Sequence, residues 1–253
     1  MPKKKAAPKK TKEVDFSDEE SVLHEIALEL DIDPNELEID DRGRGFSSFG
    51  AGTVYEITIK GGKEWCVVEN EDQERELALA VVKQDLEESP ENFDNNFIES
   101  HINIDRLRDY LKNDVIDSAI DRLTDDAERR PDDFWEDYER AGLIAPEADD
   151  EGELPEPEQS HIEELAEHQA NHKLRDPMDY LRDIYGNDAV KQAIQIAGID
   201  IDAAAEEAVD TDGPAHFLSS YDGRSYTTKS GLVYWRVEGW TRKAMVRPRQ
   251  HRH

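Results

Sequence analysis

The stretch 53–86 constrains the fold of this chain most, because strand patterns and a helix pattern follow one another there without a break. From residue 54 to 59 the side chains alternate between two faces, which is the period of a half-buried strand. Residues 60–63 contain two consecutive glycines, and glycine tolerates the positive φ that a tight hairpin turn requires. Residues 65–68 are then apolar, as expected of the return strand. The sequence therefore predicts a β-hairpin.

A helix is predicted directly after the hairpin. Its apolar side chains recur at helical spacing and form one stripe: Leu77, Ala78, Val81, Val82 and Leu86. Asn70 together with Gln73 predicts an N-terminal cap for this helix. Because an isolated hairpin is marginally stable in water, we expect the helix to pack on it.

Helical periodicity dominates the rest of the chain. We expect a helix behind Ser17, a long amphipathic helix from about Asn103, a helix from Pro131 to Gly142 and several short helices between residues 161 and 209. The alternation of residues 231–237 predicts a strand of a second hairpin near the C-terminus. The fold class expected is α+β, mostly α: a β-hairpin packed by helices, then a small helical domain that ends in a C-terminal hairpin.

Composition and the positions of helix-breaking residues divide the chain into five predicted segments. Residues 146–159 are acidic and contain three prolines, which is typical of a linker. In chain order the segments are a basic disordered arm (1–14), an α+β domain (15–145), the acidic linker (146–159), a small helical domain with the terminal hairpin (160–240) and a basic disordered tail (241–253).

The net charge of −30 is unevenly distributed. Residues 1–12 contain six lysines and residues 241–253 contain five basic residues, and neither segment contains an acidic one. The body between them holds 20 basic and 61 acidic residues, a charge of −41. Such a body attracts basic proteins and repels phosphates, whereas the two basic ends are suited to nonspecific contact with nucleic acid.

Several classes of protein and site are disfavoured by the sequence. Cys66 is the single cysteine, which excludes a disulfide within the chain and a cysteine-based metal cluster. We expect it to act as a small buried apolar residue. No apolar run is long enough to span a membrane and no secretory signal is apparent, so a cytoplasmic location is expected, with no membrane partner. The sequence indicates no cofactor.

A metal site is one reading of a histidine-rich helix. His161, Glu164, His168 and His172 fall on one helical stripe, and His168 and His172 have the i, i+4 spacing that can chelate a metal ion. The zinc-protease pattern needs glutamate directly after the first histidine, where this chain has Gln169. The alternative is a solvated polar face that titrates near neutral pH.

A hydrolase triad is a second candidate with a simpler alternative. His216, Ser219, Ser220 and Asp222 are residues of the required types, but no nucleophile-elbow sequence surrounds them. Asp222 followed by glycine is typical of a turn. With 61 acidic residues, the sequence cannot identify or exclude a pair of catalytic carboxylates.

Three segments in the last third of the chain resemble known sequences. Residues 176–186 (DPMDYLRDIYG), 215–223 (AHFLSSYDG) and 233–236 (VYWR) are similar to uncharacterised acidic proteins encoded by tailed bacteriophages. The resemblance implies a viral origin. It carries no activity and no site residue.

Charge and resemblance together favour a non-enzymatic acidic accessory protein that acts by binding. A more specific version of this hypothesis is a nucleic-acid mimic that occupies the basic groove of a DNA- or RNA-binding host protein. The alternatives are a virion-associated protein, a protein whose acidic surface serves solubility or salt adaptation, and an enzyme of unrecognised class.

Overall fold

The computed structural model describes residues 14–39, 46–50, 52–60, 62–148 and 153–237. Apart from Val14, the predicted basic arm lies outside these residues, and so does the whole predicted basic tail.

The described residues form an α+β fold in which helices predominate, as predicted. In chain order the elements are α1 (Glu19–Leu30), β1 (Leu37–Ile39), β2 (Tyr55–Ile59), β3 (Lys63–Val68), α2 (Glu71–Glu88), α3 (Asn95–Ser100), α4 (Ile104–Arg129), α5 (Pro131–Arg140), α6 (Gln159–Lys173), α7 (Pro177–Tyr185), α8 (Ala189–Ala197), α9 (Ile201–Asp212), α10 (Pro214–Leu218), β4 (Ser225–Thr227) and β5 (Val233–Val237).

The predicted hairpin and its following helix are confirmed as β2, β3 and α2. Tyr55 pairs with Val67 in the antiparallel ladder. The side chain of Asn70 accepts a hydrogen bond from the backbone N–H of Gln73 at 2.9 Å, and the Gln73 side chain accepts one from the backbone N–H of Glu69 at 2.7 Å. The first bond satisfies one N–H that the first turn of α2 leaves unpaired, and the second ties the residue before the cap to the same turn.

The chain divides into two compact units, and their boundary differs from the predicted domains. Unit 1 comprises residues 1–93 and 201–253, and unit 2 comprises residues 94–200. The C-terminal hairpin belongs to unit 1 because β5 pairs with β3, with Cys66 opposite Trp235. A domain of residues 160–240 is therefore wrong, since a strand pairing over a long sequence separation joins the two ends of the chain.

The sheet of unit 1 is antiparallel throughout, in the order β1-β2-β3-β5-β4. On one face Tyr55, Ile57 and Val67 pack against Val22 and Ile26 of α1. Cys66 and Trp235 point to the other face. Helix α2 also contacts β3, α9 and α10. The helix that covers Tyr55 and Ile57 is therefore α1, not the helix that directly follows the hairpin.

Helix α4 is the central element of unit 2. Its N-terminal half packs with α7 and α8 through a cluster that includes Leu107 and Leu111. Its C-terminal half packs with α5 and α6 through a cluster that includes Leu123 and Trp135. The ends of unit 2 are joined, because the backbone N–H of Asp200 donates to the carbonyl of His101 at 2.8 Å.

The predicted linker 146–159 lies inside unit 2 and does not separate two domains. The indole N–H of Trp135 donates to the carbonyl oxygen of Pro155 at 2.9 Å. Helix α6 begins at Gln159, the last residue of the predicted linker. The described residues of this segment before Gln159 belong to no helix or strand, and the Trp135 hydrogen bond ties Pro155 to α5.

Candidate functional site

An exposed row of carboxylates on α4 is the most distinctive charged feature of unit 2. Five acidic residues at successive spacings of three, four, four and three are all exposed: Asp114, Asp117, Asp121, Asp125 and Glu128. At 3.6 residues per turn this spacing places them within a sector of roughly 80° and over a length of roughly 21 Å. We call this set the α4 row.

The α4 row keeps nearly all of its negative charge uncompensated. Within the described ranges, Asp114, Asp117, Asp121 and Glu128 form no ion pair. Asp125 lies 3.4 Å from Arg129, but both side chains are well exposed, and exposed pairs contribute little. The row is therefore a fixed strip of negative charge that faces solvent.

Two other arginines near the row, Arg122 and Arg130, are paired with carboxylates outside it. Arg130 lies 2.6 Å from Asp126 and 3.3 Å from Asp133, and Arg122 lies 3.6 Å from Asp126. Asp126 is the more buried partner of these pairs. These ion pairs join the last turns of α4 to the first turn of α5, and they leave the row available to a basic partner.

The histidine stripe does not assemble into a metal site. His161 packs against Trp135 with ring centroids 5.0 Å apart, and its Nδ1 accepts a hydrogen bond from the backbone N–H of Glu158 at 3.1 Å. Glu164 accepts a hydrogen bond from the hydroxyl of Tyr138. Burial, and then this hydrogen bond, raise the pKa of Tyr138 to about 12. Two of the four predicted ligands therefore have structural partners.

His168 and His172 are exposed on α6. In the part of the chain that the structure describes, no three His, Cys, Asp or Glu side chains come together to hold a metal ion. His168 and His172 do lie one turn apart on α6, but two histidines alone supply too few ligands for a structural metal site.

The carboxyl groups with raised pKa values lie on α2 and do not form a catalytic pair. Burial, and then the charge of Glu88, raise the pKa of Asp85 to about 6. Burial likewise raises the pKa of Glu74, and a hydrogen bond with Ser225 opposes the shift. Eleven residues along a helix separate the two groups by roughly 16 Å. Paired catalytic carboxylates of glycosidases lie roughly 5 to 9.5 Å apart.

The other reactive side chains are used for structure. Cys66 is buried, as predicted, and burial raises the pKa of its thiol well above the usual value. Ser219 is also buried, and its Oγ lies 3.0 Å from the carbonyl oxygen of Arg236 and 3.1 Å from Asp222 Oδ1. Asp222 Oδ1 also accepts a hydrogen bond from the backbone N–H of Arg224, which closes the predicted turn. A buried hydroxyl held in this way is poorly placed for nucleophilic attack.

A surface cleft of about 340 Å³ lies in unit 2 beside the first residues of α4 and α7. Of its two carboxylates, Asp176 caps α7 by accepting from the backbone N–H of Met178 at 3.0 Å, and Glu99 pairs with Arg182. Both groups therefore have structural partners, and the cleft provides no unengaged acid for catalysis.

The sequence analysis did not predict the α4 row, although the spacing of its acidic residues was visible in the sequence. The long amphipathic helix was predicted from about Asn103, and the acidic residues between 114 and 128 follow the three- and four-residue spacing of one helix face. That four of its five carboxylates have no ion-pair partner among the described residues depends on packing, since Lys112, for example, pairs with Glu167 of α6 at 3.0 Å.

None of the described helices combines the length and the apolar character needed to cross a membrane. Comparison of the chain with protein-family models, with curated proteins and with solved structures found no match.

Proposed function

We propose that this protein is a non-enzymatic acidic accessory protein whose unit 2 binds a basic partner, as a nucleic-acid mimic does. The observation that carries the proposal is the α4 row, a rigid strip of carboxylates that is almost free of ion pairs. Unit 2 as a whole contains 30 acidic and 11 basic residues, a charge of −19. The groove of a nucleic-acid-binding protein attracts such a surface as it attracts phosphates.

The spacing of charge along the row supports this reading. Five carboxylates over roughly 21 Å correspond to about one charge per 5 Å, against about one per 3.4 Å along a single DNA strand. One row therefore supplies about two thirds of the linear charge of a strand. The remaining acidic residues of unit 2 add to the same field.

The resemblance of three sequence segments to acidic proteins of tailed bacteriophages supports a viral context for the proposed function. The partner would then be a DNA- or RNA-binding protein of the host, encountered in the host cytoplasm. The proposed role is inhibition of that protein by occupation of its basic groove.

The proposal is tested by neutralising the α4 row at constant shape. The variant replaces all five side chains by their amides: Asp114→Asn, Asp117→Asn, Asp121→Asn, Asp125→Asn and Glu128→Gln. A matched control neutralises five exposed acidic residues of unit 1 that form no ion pair with the described residues: Glu20→Gln, Glu69→Gln, Glu76→Gln, Glu87→Gln and Glu91→Gln. Both variants carry the same net charge.

We expect the wild-type chain to capture a nucleic-acid-binding protein from bacterial lysate and to release it when duplex DNA is added. The row variant should bind this protein at least tenfold more weakly than wild type, and the control variant should remain within about twofold, because complementarity depends on arrangement as well as total charge. Equal weakening of both variants would contradict the proposal. Undiminished binding by the row variant, with stability that grows in molar salt, would favour the salt-adaptation alternative.

A further inference from the structure

The C-terminal hairpin of unit 1 differs in charge from the rest of the body. Residues 223–237 contain three basic residues and no acidic one, and residues 238–253 add five basic residues and one acidic one. The chain thus ends in 31 residues with a net charge of +7 within a protein of net charge −30.

Aromatic rings gather on the face of the sheet to which this hairpin contributes. Tyr226 stacks with Tyr234 at 5.5 Å between ring centroids, and Trp65 lies 6.5 Å from Tyr226. Tyr226 is 40% exposed at the edge strand β4. The partly exposed ring therefore rests on a rigid aromatic support.

A second exposed ring lies beside the first group. The guanidinium carbon of Arg236 lies 3.7 Å from the ring centroid of Tyr221, a cation–π contact. Tyr221 is nevertheless 53% exposed, so the arginine leaves about half of this side chain accessible to solvent. We call Trp65, Tyr221, Arg224, Tyr226 and Arg236 the hairpin cluster.

The cations and carboxylates around the hairpin cluster indicate which part of it can accept an anion. Arg224 is exposed and makes no ion pair with the described residues. Asp222 accepts hydrogen bonds from the Tyr226 hydroxyl at 3.1 Å and from the Arg224 backbone N–H at 3.0 Å. Glu25 accepts from Ser230 at 2.8 Å, in the loop at the opposite end of β4 from Arg224. A polyanion therefore meets one carboxylate at either end of β4. At the Tyr221 and Arg224 end that carboxylate, Asp222, is held by two hydrogen bonds and lies close to the charge of Arg224, which offsets its repulsion.

We propose that the hairpin cluster binds single-stranded nucleic acid. Bases stack on the open faces of Tyr221 and Tyr226, and Arg224 binds the adjacent phosphate. Arg236 holds the ring of Tyr221 in position. Aromatic platforms beside cations are how proteins bind single strands without sequence preference. A duplex keeps its bases stacked within the helix, so it offers these rings no base to bind.

The test uses the full chain and a fluorescently labelled twelve-residue oligothymidylate, measured by anisotropy at about 0.15 M salt, where the repulsion of the acidic body is screened beyond about 8 Å. Tyr221→Ala should weaken binding about tenfold, which is the usual loss for one stacked base. Arg224→Gln should weaken binding severalfold and lower the slope of log affinity against log salt by about 0.7.

Matched controls are available on α4. Tyr110 is 60% exposed and Arg106 makes no ion pair with the described residues, so Tyr110→Ala and Arg106→Gln should bind within about twofold of wild type. Tyr221 lies outside the strands, so its replacement should leave the fold intact, which circular dichroism verifies.

Four results would overturn the proposal. The first is that the wild-type chain does not bind the oligonucleotide. The second is that it binds a duplex of equal length as tightly as it binds the single strand. The third is that both variants, Tyr221→Ala and Arg224→Gln, bind as wild type does, whereas removal of residues 238–253 abolishes binding. The terminal charges alone would then account for binding. Polyglutamate competes as well as the unlabelled oligonucleotide, which would indicate that the cluster binds acidic polypeptides.

Discussion

Helix α2 of unit 1 and helix α4 of unit 2 both carry carboxylates along their length, but the surroundings of those carboxylates differ. On α2, Glu74 is buried and its Oε1 has no hydrogen-bond partner among the described residues. On α4, Asp117 and Asp121 are exposed. Burial changes the protonation chemistry of a carboxyl group, whereas exposure leaves it as a fixed charge that a partner can use.

The comparison also shows how each helix is held in place. Helix α2 contacts β3, α9 and α10, so a carboxyl group on its packed side, such as Glu74, is buried, whereas Glu76 and Glu87 of the same helix remain exposed. Helix α4 contacts other helices along its buried side, and the α4 row lies on a different, exposed side of the same helix. The same residue type is thus a cost to stability in one unit and a candidate recognition element in the other.

The largest expected change in the free energy of unfolding comes from a substitution on the buried side of α4. Leu123→Ala should lower the free energy of unfolding by about 2 to 5 kcal/mol, because Leu123 is 1% exposed and its removal leaves a cavity. Tyr110→Ala on the same helix should change it by no more than about 0.5 kcal/mol, since that side chain is largely exposed. Urea denaturation measures both. Equal losses would show that α4 is not held by its apolar side.

An intermediate change in stability is expected for the half-buried carboxyl group of Asp85. Its pKa of about 6 lies above the ordinary 3.8, so ionisation destabilises the fold. This cost is fully present above pH 6 and disappears as the pH falls below about 3.8. Asp85→Asn should therefore stabilise the protein by about 1 to 2 kcal/mol at pH 7, allowing for the partial exposure of the group, and by little at pH 4.

The control for this prediction is Glu87→Gln, an exposed change on the same helix. Its effect on urea denaturation should be small at both pH values. If Asp85→Asn shifted stability equally at pH 7 and pH 4, the contrast between α2 and α4 would not rest on protonation.

The smallest expected effect is within the α4 row. Asp121 has like-charged neighbours four residues away on both sides, Asp117 and Asp125. Asp121→Asn removes both repulsions and should stabilise the protein by about 0.5 kcal/mol at low salt. In 1 M salt the gain should vanish, because the Debye length falls to about 3 Å. A gain that persists in high salt would mean that the carboxylates of the row are not simply solvated charges.

The sequence by itself determined the local elements and the layout of charge. The alternation of residues 54–59, the paired glycines and the stripe from Leu77 to Leu86 specified β2, β3 and α2, because turn chemistry and periodicity act between neighbours in the chain. The Asn70 cap was readable for the same reason. The spacing that produces the α4 row was also present in the sequence.

Only the tertiary structure decided which distant elements meet. The pairing of β5 with β3 unites residues that lie almost 170 positions apart, as in Cys66 and Trp235, and no local period encodes the partner of a strand. For the same reason packing decided that His161 meets Trp135 and that Glu164 meets Tyr138, because the two pairs join the separate local patterns of α6 and α5. Long-range burial, which depends on the whole fold, thus determined which charged groups serve structure and which remain exposed to solvent.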